Sequence, residues 1–170
     1  MNQRRRSIQS SQVGTPSAAC KVLMIYPRFS AGSFWNYGLT AQLLGARYPT
    51  APLGLITLAA LLPSDWEIRL VNRNTEALGD ADLAWADVVM TGGMLFQQAD
   101  TLQLIGRAHA AGKPIVVGGP DATSSPHIYD EADFQVIGEA EGAIDDFVAA
   151  WQGGARAGKF VAARRTRCAL

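Results

Sequence analysis

The 170-residue sequence lacks a long apolar run, and no stretch approaches the ~20 apolar residues that a membrane-spanning helix requires. The arginines near the N-terminus have no apolar segment behind them, so we do not expect this stretch to be a secretory signal. Cysteine is scarce: Cys20 and Cys168 lie near opposite ends of the chain and form neither a metal-binding spacing nor a disulfide framework. These absences predict a cytoplasmic protein without a transmembrane segment.

The charged residues are unevenly distributed, although the formal net charge is zero. Residues 1–20 and 151–170 together contain eight Lys and Arg and no acidic residue, whereas residues 21–150 contain all fifteen acidic residues. An acidic body without a basic stripe argues against nucleic-acid binding. We therefore predict a disordered basic or polar tail over 1–20, a folded domain over 21–152, and a basic tail or linker over 153–170.

Five short apolar segments alternate with helical patterns along the chain. The predicted strands lie within residues 21–26, 66–72, 87–93, 113–119 and 133–141, and residues 121–132 read as a loop. Buried strands that alternate with helices indicate a parallel sheet covered on both faces. We predict an α/β flavodoxin-like (Rossmann-like) three-layer sandwich, with a five-stranded parallel sheet in the order 2-1-3-4-5 and a ligand crevice at the carboxyl ends of the strands.

Glycine follows three of these strands, in the stretches "VMTGGM", "VVGGPDATSS" and "VIGEAE". Glycine allows positive φ without strain and lets a ligand approach the backbone closely. Ordinary turn chemistry explains one such turn, but three at neighbouring strand ends favour a flat, extended ligand. Asp121 in the second stretch is expected to cap the following turn. Arg28, after the first strand, could meet either a phosphate or solvent.

Several familiar occupants of this fold are excluded by residues that the chain lacks. The carboxylates of a phosphoreceiver domain are replaced by Tyr26-Pro27-Arg28 and Met90-Thr91-Gly92, and neither a G-x-G-x-x-G run nor a P-loop is present. A long aromatic connection, which contains Phe34, Trp35 and Tyr37, stands in place of the short phosphate loop of a flavodoxin. A flavodoxin-like flavin protein is therefore a weak alternative. His109 and His127 have no metal-binding partner nearby in sequence.

Five stretches in register carry a family resemblance, and their strongest elements are P-x-G-L-x-T-L-A-A-L-L-P from Pro52, "GGPDATSSP" from Gly118 and "IGEAE" from Ile137. Over about residues 21–160 the chain resembles the N-terminal domain of cobalamin-dependent radical SAM enzymes. That group includes hopanoid methyltransferases and the anaerobic cyclase of bacteriochlorophyll synthesis. The resemblance implies that cobalamin lies across the strand ends, with its nucleotide tail in the crevice.

The resemblance also implies a set of cofactor-binding residues on the third, fourth and fifth strand ends. They are Thr91, Gly92, Gly93 and Met94; Gly118, Gly119, Pro120, Thr123, Ser124 and Ser125; and Gly138, Glu139 and Ala140. The glycines would let the tail pass close to the backbone, and the hydroxyl groups would bind its polar groups. No catalytic residue is assigned.

Two departures from the family limit what this chain is expected to do. No histidine lies between Pro27 and Thr50, so any bound cobalamin should lack a protein histidine as its lower ligand. The C-x-x-x-C-x-x-C motif is absent, so neither an iron–sulfur cluster nor SAM is expected in this chain. The sequence therefore predicts a cobalamin-binding module that is not catalytic alone and serves a radical SAM domain or protein. The alternative is a ligand-free remnant or a regulatory protein-interaction module of the same fold.

Overall fold

The structure, a computed structural model, describes residues 19–30, 43, 45 and 51–163 and is built around a parallel sheet. Its strands are β1 (Lys21–Tyr26), β2 (Glu67–Asn72), β3 (Val88–Gly92), β4 (Ile115–Gly118), β5 (Phe134–Ile137) and β6 (Gly158–Val161), in the order β2-β1-β3-β4-β5-β6. The predicted fold class and the order of the first five strands are confirmed. The predicted strand count is wrong, because the sheet has a sixth strand.

The sixth strand lies in a segment that the sequence analysis placed in a tail. β6 pairs in parallel with β5, from Phe134 opposite Gly158 to Ile137 opposite Val161. Phe160 packs against Phe134, with ring centroids 6.3 Å apart. A four-residue edge strand with one face exposed carries too short an alternation to stand out among basic residues. Residues 1–18 and 164–170 lie outside the described part of the chain.

Helices cover both faces of the sheet, as predicted. The helices are α1 (Leu53–Leu61), α2 (Asp80–Trp85), α3 (Gln98–Ala110), α4 (Gly119–Ser124) and α5 (Ile144–Gln152). α1 and α5 pack on one face, and α2, α3 and α4 pack on the other. The predicted loop over 121–132 is wrong: it contains most of α4 and a 3-10 helix over Pro126–Tyr129. Pro120 suits the first turn of α4, where a missing N–H costs no hydrogen bond.

The central strand β1 shows why the apolar segments of the sequence do not alternate between apolar and polar residues. Val22 and Met24 face one helical layer, whereas Leu23 and Ile25 face the other, and all four are buried. A strand covered on both faces gains about 2 kcal/mol for each aliphatic side chain that it buries, on either side. Within the described residues, no helix is both long enough and apolar enough to cross a membrane.

Candidate functional site

Three turns meet at the carboxyl edge of the sheet and form one continuous surface. β3 and β4 end in register, with Gly92 opposite Gly118. The Asp121 N–H donates to the Gly93 carbonyl at 3.1 Å, and the Gly138 N–H donates to the Thr123 hydroxyl at 2.9 Å. We call this surface, Gly92–Met94 with Gly118–Ser125 and Gly138–Ala140, the carboxyl-edge site. It contains twelve of the thirteen predicted residues, all except Thr91.

The glycines of the carboxyl-edge site are required by the packing of the protein itself. A Cβ added at Gly92 would lie 2.5 Å from the Gly118 carbonyl oxygen, and one at Gly118 would lie 3.1 Å from the Val136 carbonyl oxygen. A Cβ at Gly93 would lie 2.6 Å from Oε1 of Gln97. Gly92 and Gly118 therefore let neighbouring backbones approach one another, and Gly93 leaves room for the Gln97 side chain, with or without a ligand.

Two of these glycines also adopt a backbone conformation that other residues rarely reach. Gly119 and Gly138 both have φ of +90°. A Cβ at Gly119 would lie 3.1 Å from the Gly93 nitrogen, and one at Gly138 would lie 2.9 Å from the Ala162 Cβ. The positive φ turns the chain sharply at the ends of β4 and β5, which brings α4 and the residues after β5 onto the edge.

The hydroxyl groups that were predicted to bind a ligand differ in their surroundings. Thr91 is buried in β3, and its hydroxyl donates to the Ile25 carbonyl at 2.8 Å, so it stabilises the sheet. The Thr123 hydroxyl accepts the Gly138 N–H and retains its own proton for donation. Ser124 is exposed and Ser125 is half-buried. The hydroxyls of α4 and its end are thus the ones that remain open to the edge.

An apolar surface follows Gly92 and Gly93, and only its first residue, Met94, was among the predicted site residues. Met94 and Leu95 expose 38% and 62% of their surface, and Phe96 next to them exposes 39%. Gln97 fixes the turn from below, because its Nε2 donates to the Pro27 carbonyl at 2.7 Å and its Oε1 accepts the Met94 N–H at 3.1 Å. Three consecutive apolar side chains directly after a double glycine were the signal available in the sequence.

Asp121 has a different role from the cap that was predicted. Its carboxylate makes no capping bond in α4. Instead, Oδ2 accepts hydrogen bonds from Nε2 of Gln98, at 2.9 Å, and from the hydroxyl of Tyr129. Burial is the main cause that raises the pKa of Tyr129, and the hydrogen bond to Asp121 adds to it. The pair therefore links α4, α3 and the 3-10 helix beneath the carboxyl-edge site.

Arg28 joins a cluster at the ends of β1 and β2. Its Nε donates to the Arg73 carbonyl at 3.2 Å, and its N–H donates to the Asp100 carboxylate at 2.6 Å. Asp100 also forms an ion pair with Arg73, in which Nη1 lies 2.7 Å from the carboxylate. The two charges are close, but Nη1 is not oriented to make a hydrogen bond. Burial lowers the pKa of Arg73. The main task of these groups is to join β1, β2 and α3.

Residues Ala140–Gly142 form a 3-10 turn after β5. The Gly142 N–H donates to the Glu139 carbonyl at 3.0 Å. Glu139 is exposed and Ala140 is half-buried, so both lie at the surface of the far wall of the site.

The opposite, amino edge of the sheet has a shallow cavity of about 340 Å³. It is lined by His109, Lys113, Asp133 and Arg156, together with Gly112 and Pro114. His109 contacts Asp133 at 3.0 Å, and the Lys113 amine donates to the Ala86 carbonyl at 2.7 Å. Basic side chains at this point complement the carboxyl end of α3. The described residues contain no group of three His, Cys, Asp or Glu side chains placed to hold a metal ion.

Comparison with known proteins gives two informative relatives, whereas no protein-family model matches the chain. The chain is 41% identical over 140 residues to an uncharacterized methyltransferase of Synechocystis. The matched region covers 81% of this chain and 26% of that protein. It is 34% identical over 131 residues to the hopanoid C-2 methylase of Rhodopseudomonas palustris, covering 76% of this chain and 24% of the methylase. The chain thus spans about a quarter of the length of these relatives. It is therefore related to one segment of larger proteins that are named as methyltransferases.

Proposed function

We propose that this chain is a cobalamin-binding module of a methyltransferase system, and that the cofactor binds at the carboxyl-edge site. The relatives support the connection with methylation, because two proteins named for that activity match 81% and 76% of this chain. The carboxyl edge of a parallel α/β sheet is where this class of fold binds its ligands. The module has no catalytic residue of its own in this proposal.

The observation that carries the proposal is the exposed apolar surface beside the glycine turns. Met94 and Leu95 face solvent directly after Gly92 and Gly93, where a turn between a strand and a helix ordinarily carries polar residues. Cobalamin combines a broad macrocycle with a long nucleotide tail. The apolar side chains suit the macrocycle, and the tight backbone turns of β4 and β5 suit the tail.

The residues of the site fit such a ligand through contacts that need no metal coordination. The exposed hydroxyl of Ser124 and the remaining proton of Thr123 can bind polar groups of the tail. Neither histidine of the chain is among the residues of the carboxyl-edge site: His109 is at the amino edge, and His127 is exposed in the 3-10 helix after α4. The protein would therefore hold the cofactor without a histidine on the cobalt, while the bound cobalt supplies the methyl-carrying chemistry.

The remaining chemistry belongs to a partner in this proposal. The sequence has no cysteine motif for an iron–sulfur cluster, and it matches only about a quarter of each relative. A radical SAM domain or protein would act on the cofactor from the open side of the carboxyl-edge site. The module would contribute binding and orientation.

The first test is retention of cobalamin by the purified protein. The protein is mixed with hydroxocobalamin under reducing conditions, passed over a desalting column and examined by visible absorption. We expect about one equivalent to be retained, and Leu95→Glu to reduce retention at least tenfold because it places a charge against the macrocycle. Leu102→Glu is the matched control, since Leu102 is similarly apolar and exposed but lies on α3. A colourless wild-type protein would contradict the proposal.

A second measurement tests the absence of a histidine ligand. The protein is prepared with ¹⁵N-labelled histidine, loaded with cobalamin and reduced to the paramagnetic cobalt state. We expect the nitrogen hyperfine pattern in the EPR spectrum to be the same with labelled and unlabelled protein. A pattern that changes with the label would show an imidazole of the protein on cobalt.

A further inference from the structure

Asp121 is a buried carboxylate that connects the carboxyl-edge site to the rest of the fold. It is 6% exposed, and its Oδ2 accepts hydrogen bonds from Gln98 on α3 and from Tyr129 on the 3-10 helix. Its backbone N–H donates to the Gly93 carbonyl at the end of β3. One residue of α4 is thus joined to three separate elements.

The position of Asp121 ties this network to the geometry of the turn. It follows Gly118, Gly119 and Pro120 directly, and a Cβ added at Gly119 would lie 3.1 Å from the backbone nitrogen of Gly93. The only element between β4 and the 3-10 helix is α4, which has six residues. So short a helix has little stability of its own, and its placement depends on these tertiary bonds.

The carboxylate lies beneath the surface and points toward Gln98 and Tyr129. A buried charge is costly unless hydrogen bonds compensate for it. An apolar side chain could fill the same volume, but it could not hold α3 and the 3-10 helix at defined distances from α4. The network therefore specifies a position for α4 and for the turn before it.

We propose that Asp121 is a positioning residue that holds the Gly118–Gly119 turn in the conformation to which the ligand of the carboxyl-edge site binds. This inference rests on the proposed function for the identity of the ligand. Asp121 acts through its two donors, Gln98 and Tyr129, and makes no contact with the ligand itself.

The arrangement of the two donors allows the hydrogen bonds of Asp121 to be tested separately from its negative charge. Gln98 and Tyr129 both donate to the same oxygen of Asp121. Asparagine can place its amide oxygen at that point and accept both bonds without a charge. We therefore expect Asp121→Asn to bind ligand nearly as wild type does and Asp121→Ala to fail.

The test measures cobalamin binding by absorption titration for the wild type, Asp121→Ala, Asp121→Asn and Tyr129→Phe. We expect Kd to rise about tenfold or more in Asp121→Ala and to stay within about threefold in Asp121→Asn, with Tyr129→Phe between them. Leu83→Ala is the control for a general loss of stability, because Leu83 is buried on α2 away from the site, and its Kd should not change. Tyr129→Phe keeps the test decisive if Asp121→Ala does not fold.

Amide hydrogen exchange provides a readout that needs no ligand. We expect the Asp121 and Gly119 amides to exchange faster in Asp121→Ala than in Asp121→Asn or Leu83→Ala. A wild-type protein that binds cobalamin, with unchanged Kd in Asp121→Ala, would overturn the positioning role alone. The positioning role would also be overturned if Asp121→Asn bound cobalamin as weakly as Asp121→Ala does, because the charge of Asp121 would then be the property that matters. A wild-type protein that binds no cobalamin would overturn the proposed function and, with it, the ligand-positioning role.

Discussion

The ends of the strands are stabilised differently at the two edges of the sheet. At the amino edge, aspartate side chains accept the first N–H groups of strands: Asp87 accepts from Lys21 and Asp133 accepts from Ile115, both at 2.8 Å. At the carboxyl edge, β3 and β4 are followed by glycines whose backbones lie directly against one another. Aspartate side chains thus complete these strand starts at the amino edge, whereas main-chain contacts complete the ends of β3 and β4 at the carboxyl edge.

This difference determines how each edge responds to substitution. A side chain that accepts a hydrogen bond can be shortened or replaced, and the cost is about that of the lost bond. A backbone contact has no room for any added atom, because the main chain cannot move without disturbing the strands that contain it. The carboxyl edge is therefore the more rigid frame, which suits a site that must keep one shape.

The largest predicted effect is that of Gly92→Ala at the carboxyl edge. The new Cβ would lie 2.5 Å from the Gly118 carbonyl oxygen, which belongs to the adjacent strand. We expect a loss of about 3 kcal/mol in the free energy of unfolding, measured by urea denaturation.

Gly106→Ala is the matched control for this glycine substitution. Gly106 lies within α3, is exposed and has no atom within 4 Å of an added Cβ. We expect it to stabilise the protein by about 0.5–1 kcal/mol, because alanine restricts the unfolded chain and favours the helix. Equal stability of the two variants would show that the backbones at the carboxyl edge can separate.

A smaller effect is predicted for Asp133→Ala at the amino edge. Asp133 accepts the Ile115 N–H at 2.8 Å and contacts His109 at 3.0 Å, and both are lost in the variant. We expect destabilisation of about 2 kcal/mol by the same measurement. Asp80→Ala should have no measurable effect, since Asp80 is fully exposed and pairs with Arg107 only at 3.4 Å. If Asp133→Ala lowered the free energy of unfolding as much as Gly92→Ala does, the two edges would not differ in their response to substitution.

The smallest predicted effect concerns Cys20, which precedes β1 at the amino edge. Burial raises the pKa of its thiol from 9.0 to about 11. As the pH rises, the thiol of the unfolded chain therefore loses its proton before the thiol of the folded chain does. The buried neutral thiol contributes fully to the stability of the fold below about pH 9, and this contribution is lost as the pH rises toward about 11. We expect this group to cost about 1 kcal/mol of stability between about pH 8 and pH 10. Cys20→Ala should show a shallower decline over that range, and an identical decline would contradict the buried thiol.

Much of the architecture was predictable because its signals are local. The runs that became β1 to β5 are short and apolar, and Pro52 and Pro63 bracket α1. The missed elements are α4 and β6. Their sequences contain small polar residues or a single aromatic, and they are stabilised by partners distant in the chain, such as Gly93 for α4 and Phe134 for β6.

The candidate site was predictable in location and less so in detail. Glycine after several strands indicated the carboxyl edge, since parallel strands end on the same side. The partners of Thr91 and Asp121 could not be inferred, because Ile25 and Tyr129 reach them only through the packing of the sheet and helices. The exposure of Leu95 likewise depends on which neighbours cover it.

The sequence by itself determined the parallel α/β architecture, the strand order from β1 to β5 and the edge on which glycines collect. These properties follow from hydrophobic periodicity and from the handedness of the connections, both of which act over short distances along the chain. Only the tertiary structure decided why each glycine is needed and that Asp121 joins three elements. Those features depend on atoms that meet although their residues are distant in the chain, as Gly93 and Asp121 do across 28 positions through a 3.1 Å N–H···O bond.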